Sequence, residues 1–590
     1  MPGLPGSPSS TEATIQPAPA QLRAAQQQLA ALAEPVRTDT ALAWSRDYLN
    51  RQQPQNAAAL LDQIGSGAHS QDQRYRWLQL RAQTWMAEQK PKQALALLSS
   101  HQRDTDGLDP QRRAGIDLLR AAALARDGQL MDSVRLRVQA DPMLNPDDQQ
   151  SNRDLTWQTL MDLPLETLEA HARNTSGDLQ GWIQLALLYR DPQANIESQV
   201  QRLQQWRQQW PDHPAAQRLP KMVQALQEAA RQRPQHIAVL LPENGPLKAA
   251  GDAIREGMMT AYYSARQAGN QTPELRFYDA SQGNVQALYQ QAVSDGAEFV
   301  IGPLAKDKVA AIAALGRPPV TTLALNYLDQ GSRDAPIFQF GLAPEDEAGQ
   351  VARYTLQQGD RFAGVLYPDS DWGRRVGQAF ISAFQQGGGQ ITAQRAYQDD
   401  TIGPTVQDLM ETARSAQAQA GFPSEAKTEY QPHPGQDMSF VFLVANPDQG
   451  RQIKPAFNFH YARYLPIYST SYIYDGTPSP RRDRDLDGIH YLDMPWVLYG
   501  DSKLHRMAAQ TWPDGHGRYG RLFAMGIDAY RLQARLYLLR NLPDSDLPGV
   551  TGRLHLDGSR LVRESDWAAF DNGKATPLPQ TSEPTAHALY

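Results

Sequence analysis

The chain has 590 residues, and at roughly 150 residues per domain that predicts about two to four domains. Hydrophobic residues make up 41% and charged residues 21%, enough to build cores and too apolar for a disordered polymer. The net charge of −7 argues against a nucleic-acid binder, which usually carries a basic stripe. With a mean hydropathy of −0.57, no apolar run is long enough for a transmembrane helix.

There is no cysteine. That removes disulfides, thiolate nucleophiles, iron–sulfur clusters and cysteine-ligated zinc, and it fits an oxidising compartment. Residues 1–20 form a Pro/Gly/Ser-rich leader without the basic and apolar regions of a signal peptide. It reads as a flexible tether.

Residues 21–233 are rich in the helix formers Ala, Gln, Leu and Arg. Short breaks at Gln53-Pro54, Gly65-Ser66-Gly67, Lys90-Pro91, Asp109-Pro110 and Gly128 predict helix pairs joined by turns, as in an α-solenoid. In one pair Ala82 and Trp85 precede Ala94 and Leu98. Small residues let two helices cross closely, and the aromatic fills the gap beside them. The same frame fits Ser45, Tyr48, Ala57 and Leu61. It fits more loosely at Ala121, Leu124 and Ser133, and at Ala186, Tyr189 and Ser198. Successive anchors lie 37 and 39 residues apart, longer than the regular tetratricopeptide repeat, so the domain resembles an irregular version of one. Such solenoids serve as binding surfaces or spacers. Trp206 and Trp210 read as core, and Asn174-Thr175-Ser176 as a helix boundary turn.

The pattern changes at Pro234. Apolar runs at residues 236–242, 275–278, 299–301 and 319–325 alternate with helical stretches, which predicts βαβ units and a mostly parallel sheet. A second series follows at residues 362–367, 391–397, 440–444 and 466–469. Two such halves predict a bilobed α/β domain of the type I periplasmic-binding-protein kind over residues 234–575, with hinge closure as its natural motion and a tail at 576–590. Ligands of open α/β sheets bind beyond the carboxyl ends of the strands. Here those ends carry Pro242-Glu243-Asn244-Gly245, Pro303, Asn326-Tyr327, Asp369-Ser370 and Thr470-Ser471.

Catalytic patterns are lacking: no nucleophile elbow, zinc-protease motif, Walker A loop or Ser-x-x-Lys set is present. Gly387-Gly388-Gly389 precedes a predicted strand, whereas phosphate loops follow one. Glu345-Asp346-Glu347 suits the first turn of a helix. Asp483-Arg484-Asp485-Leu486-Asp487-Gly488 has the first half of an EF-hand loop, but Met494 stands where the bidentate Glu belongs. It reads as a turn feeding a strand. The sequence is that of a non-enzymatic protein with no cofactor and no metal.

Several segments carry a family likeness. They are Gly302-Pro-Leu-Ala-Lys306, Leu323-Ala-Leu-Asn326, Phe340-Gly-Leu-Ala-Pro-Glu-Asp-Glu-Ala348, Trp372-Gly-Arg-Arg375, Ile453-Lys-Pro455, Tyr468-Ser-Thr-Ser471 and Asp493-Met-Pro-Trp496. Behind a helical-repeat N-terminus, this order resembles the LpoA family, the outer-membrane lipoprotein activators of penicillin-binding protein 1A. The resemblance implies a periplasmic protein, lipid-anchored to the Gram-negative outer membrane, that spans the peptidoglycan layer. Its C-terminal domain would dock on a class A penicillin-binding protein and stimulate chiefly its transpeptidase. Mature members begin with an acylated cysteine, and this sequence has none. The leader fits a chain that starts just past the lipidation site.

Strand ends and signature segments together give a candidate cleft of Pro303, Asn326, Tyr327, Ser370, Asp371, Trp372, Thr470, Ser471, Asp493 and Trp496. The alternative reading is a periplasmic solute-binding receptor that closes on an amino acid or peptide. Against it, Asp371 and Glu243 offer acid without a clear Arg partner for a zwitterion. A glycan hydrolase would need a carboxylate pair flanking a sugar, and none is identified.

Overall fold

The structure is a computed structural model that describes residues 15–65, 70–101, 107–191, 196–328, 334–418, 438–500, 502–512, 517–542 and 546–578. The chain divides into two compact units. Of the described residues, one comprises those from 15 to 191 with Gln201–Gln224, the other those from 196 to 200 and from 225 to 578.

The first unit is built from helix pairs. Val36–Asn50 is followed by Pro54–Ile64, Gln71–Ala87 by Pro91–Ser100, and Pro110–Arg126 by Leu130–Ala140. Leu165–Ala172 and Gly177–Arg190 make a further pair after the helix Pro146–Asp162. Where the first three pairs turn, one residue takes a left-handed conformation: Gln52 (φ 58°), Gln89 (φ 58°) and Gly128 (φ 81°). These turns recur at the same intervals as the small-residue anchors, so one turn geometry sets the repeat. Ser45, Tyr48, Ala57, Leu61, Ala82, Ala94, Leu98, Ala121, Ser133 and Ala186 are fully buried.

Three anchors differ from expectation, among them Ser198, which is half-buried. Trp85 is half-buried and carries the Arg81 guanidinium 4.7 Å from its ring centre. The gap is filled instead by Trp77, two turns earlier, whose indole donates to the Leu61 carbonyl at 3.1 Å. Leu124 is also only half-buried. Part of the expected leader is held in place. The Gln16 carbonyl accepts from Trp44 at 2.8 Å, the Ala18 amide donates to Asp47 at 2.7 Å, and the Pro19 carbonyl accepts from Tyr48 at 2.6 Å.

Trp182, Trp206 and Trp210 surround His213, with ring centres 5.3, 5.1 and 6.0 Å away. Trp206 is buried and Trp210 half-buried. The His213 Nδ1 accepts from the Ala215 amide at 3.0 Å, so the proton sits on Nε2, which lies 2.9 Å from the Asp178 carbonyl. Burial lowers the imidazole's affinity for a second proton and outweighs the opposing pull of Asp178 and Asp141. A depressed native value means that the unfolded chain protonates first. The stability contribution is therefore complete above the ordinary value of 6.5 and is lost as pH falls below it. Urea unfolding followed by tryptophan fluorescence is expected to show a midpoint that drops between neutral pH and about pH 5. In His213→Gln that dependence is expected to flatten.

The second unit holds two sheets of the same design. In the first, β1 (His236–Leu241), β2 (Glu274–Asp279), β3 (Phe299–Ile301), β4 (Thr321–Ala324) and β5 (Phe338–Phe340) run parallel in the order β2-β1-β3-β4-β5. In the second, β6 (Phe362–Pro368), β7 (Gln390–Tyr397), β8 (Phe440–Leu443), β9 (Ile467–Ser469) and β10 (Ile489–Asp493) repeat that order as β7-β6-β8-β9-β10. Even the first turns match. A Cβ on Gly251 would lie 2.4 Å from the Pro242 carbonyl oxygen, and one on Gly373 would lie 2.2 Å from that of Pro368. Only glycine lets each helix close onto the end of its strand.

Five further strands were not expected from the sequence. β11 (Leu547–Pro548), β12 (Arg553–Asp557) and β13 (Arg560–Glu564) extend the first sheet beside β5, and β14 (Asp566–Asp571) and β15 (Lys574–Pro577) extend the second beside β10. The chain thus crosses between lobes three times: after β5, after β10 and, through Ser565 alone, between β13 and β14. Apolar clusters cover the sheets, among them the stack of Phe380 on Phe442 at 4.2 Å and the group around Val300, Tyr289 and Ile312.

The candidate cleft and the lobe junction

The ten cleft residues separate into an open set and a buried set. Asp371 is exposed, and Asn326, Ser370 and Trp372 are half-buried; the other six are buried. Ser370 caps the helix Asp371–Gln386 by accepting from the Gly373 amide at 3.1 Å. Asn326 bridges the Leu304 carbonyl and the Tyr327 amide at 3.0 and 2.9 Å. Trp372 lies 5.1 Å from the exposed ring of Tyr472.

The acids of the cleft edge do have Arg partners, contrary to expectation. Glu243 pairs with Arg255 at 3.0 Å and Asp371 with Arg374 at 2.8 Å. Arg255 comes from the helix that follows Glu243, and Arg374 from the same helical turn as Asp371, local pairings that leave neither charge set for a zwitterion.

The buried members are engaged in structure. The Tyr327 hydroxyl donates to the Leu561 carbonyl at 2.7 Å, its ring lies 4.0 Å beneath the Arg560 guanidinium, and burial holds its phenol well above the ordinary range. The Pro303 carbonyl accepts from the Leu325 amide at 3.0 Å. Trp496 packs between His505 and Phe523, at 4.4 and 5.4 Å. Thr470 is fully buried with its hydroxyl unpaired.

Ser471 and Asp493 belong to a wider network. Asp493, fully buried, receives a two-pronged contact from Arg521 at 2.9 and 2.6 Å. Burial pushes the Asp493 carboxyl upward against the pull of Arg521. Arg521 also donates to the carbonyls of Ser471 and Tyr474, both at 2.8 Å. The Ser471 amide and hydroxyl in turn donate to Glu347 at 2.8 and 3.1 Å. Glu347 pairs with Arg563 at 3.1 Å, with side chains 4% and 3% exposed. Asp528 gathers the amides of Val550 and Thr551 and the Thr551 hydroxyl at 3.0, 2.8 and 2.6 Å. Glu347, Arg521, Asp528 and Arg563 were not read as site residues. Glu347 does stand in a first helical turn, but its carboxylate faces inward to a partner 216 residues away.

The half EF-hand is also structural. Asp483 is buried, pairs with Arg451 at 2.7 Å and accepts from the Ser479 amide at 2.8 Å, and Asp487 accepts from the Gly573 amide at 2.8 Å. Among the described residues, no helix is long and apolar enough to cross a membrane.

Two lobes of repeated strand order, crossed three times, define a type I periplasmic-binding-protein-like module, and the helix pairs that precede it in the sequence define a tetratricopeptide-like one. The family described as "LppC putative lipoprotein" matches residues 21–573, and the chain belongs to it. A relative from Photobacterium profundum, named penicillin-binding protein activator LpoA, is 29% identical over 482 residues, covering 78% of this chain and 76% of its own. One of the same name from Edwardsiella piscicida is 25% identical over 674 residues, covering 97% and 96%. The solved structure of Haemophilus influenzae LpoA superposes with a TM-score of 0.60 at 24% identity, covering 95% of this chain and 98% of its own. That last likeness is one of fold.

Proposed function

We propose that this chain is a non-enzymatic regulator of peptidoglycan synthesis that binds and activates a class A penicillin-binding protein, penicillin-binding protein 1A by family resemblance, and chiefly its transpeptidase. The observation that carries the reading is the match to relatives named as activators, which runs through both units rather than through the bilobed fold alone. Function is not given by that fold. The receptor reading is disfavoured because the polar groups of the candidate cleft, the Thr470 hydroxyl apart, are largely spent on partners within the chain.

In this account residues 234–575 dock on the synthase, and residues 21–233 act as a spacer. A lipid anchor at the native N-terminus holds the protein at the outer membrane, so that it reaches across the peptidoglycan layer. Within the bilobed unit, Asn326, Ser370, Asp371 and Trp372 are the cleft members open to a partner. The test is retention of purified class A synthase by immobilised full-length protein, beside calorimetric titration with amino acids. The account expects synthase binding and no amino-acid heat. Amino-acid binding without synthase binding would reverse it.

A further inference from the structure

Several buried charges of the bilobed unit gather where the chain passes between lobes. Glu347 lies in the helix Pro344–Gln357, just after the first crossing. Three donors converge on its carboxylate: the Ser471 amide at 2.8 Å, the Ser471 hydroxyl at 3.1 Å and the Arg563 guanidinium at 3.1 Å. Ser471 follows β9 in the second lobe, and Arg563 lies on β13 in the first. One turn along the same helix, Gln350 grips the third crossing. It donates to the Ser565 carbonyl at 2.8 Å and accepts from the Ser565 amide at 3.0 Å. Asp346 adds a pair to Arg560 of β13 at 3.3 Å.

An amide, a hydroxyl and a guanidinium converging beyond the carboxyl end of a strand are the donor set by which a protein recognises a carboxylate. In this unit the carboxylate is the chain's own. We propose that Glu347 is an internal ligand: it fills a carboxylate site at the lobe junction and thereby holds the two lobes in one arrangement. The inference goes beyond the activator reading and does not depend on it.

The physical argument rests on what hinge closure requires. Closure turns the crossing segments through new backbone angles. Here those segments carry the two halves of a buried ion pair, and separating them leaves a charge unpaired in apolar surroundings. A free amino acid offers no net gain, because its carboxylate would have to displace one already held by three donors and tethered at high effective concentration. A ligand shifts a conformational equilibrium only by its differential affinity for the two states. With the site filled from within, that difference is absent, and the bilobed unit presents a fixed surface.

The chain lacks cysteine, so spin labels can be placed cleanly at the exposed positions Asp307→Cys and Asp400→Cys, one on each lobe of the full-length protein. Pulsed dipolar spectroscopy is expected to give one narrow distance distribution that a mixture of free amino acids does not move. Glu347→Ala is expected to broaden it. Sodium acetate should narrow it again, where sodium chloride at equal ionic strength does not. Should Glu347→Ala fail to fold, Glu347→Gln keeps the shape, removes the charge and is expected to broaden the distribution too. A distance in the parent protein that shifts with amino acids would overturn the proposal. So would an unchanged distribution in the variants, or acetate acting no better than chloride.

Discussion

Gly526→Ala is expected to destabilise the bilobed unit by about 3 kcal/mol or more, as overpacking against rigid backbone does at its upper end. The helices Lys248–Gln267 and Gly520–Asn541 cross with a glycine on each. A Cβ on Gly526 would stand 2.0 Å from the Ile254 carbonyl oxygen, and one on Gly257 would stand 1.9 Å from that of Phe523. Neither obstacle is a side chain that can swing aside, so the helices must part along their whole contact. Parting them strips Met258, Ala261, Phe523 and Ile527 of their close packing, and all four are buried. Gly257→Ala is expected to cost a similar amount. The double variant should cost less than the sum, since one separation accommodates both methyl groups. Thermal unfolding measures all three, with about 1–2 °C lost per kcal/mol in a unit of this size. A midpoint within one degree or so of the parent would mean that the helices do not meet backbone to backbone.

Arg521→Met is the second large effect. It leaves Asp493 fully buried with no countercharge, and removing one partner of a buried pair costs about 3–5 kcal/mol. The lost side chain also held the carbonyls of Ser471 and Tyr474. Its pH dependence identifies the cause. Once unpaired, the buried carboxyl has a native value above its unfolded one. The variant is therefore least stable near neutrality, and its deficit shrinks as pH falls and the carboxyl takes up a proton. Asp493→Leu combined with Arg521→Met removes both charges and should recover much of the loss. Urea unfolding at neutral and mildly acidic pH, compared with the parent, distinguishes this from simple loss of packing, which would not vary with pH.

The central parallel strands were legible because they are covered on both faces and read as unbroken apolar runs. Phe440–Leu443 has all four residues buried, and β1 has five of its six buried. The helix pairs were legible through their turns and small residues, although the aromatic that fills the gap was placed two turns too late. The last strands were hidden for a physical reason. β13 alternates as a strand should, but its inward positions are Leu561 and Arg563, and a buried arginine erases the apolar face. Short-range signals were nonetheless present. Asp557-Gly558 and Asn572-Gly573, with positive φ at Gly558, Asn572 and Gly573, are the dipeptides of tight hairpins. The junction network was legible only at Ser471 and Asp493, because Glu347 lies 124 positions from Ser471 and 216 from Arg563, and each charge taken alone reads as an ordinary surface one.

The central claim, activation of a synthase through the bilobed unit, is met most directly by the crosslinked peptidoglycan formed by a purified class A penicillin-binding protein. The additions compared are the full chain, residues 234–590 and residues 1–233. The account predicts stimulation by the full chain and by residues 234–590, and none by residues 1–233; a tenfold rise would correspond to about 1.4 kcal/mol of preference for the active synthase. Stimulation by residues 1–233 alone, or no stimulation by the full chain, would contradict it.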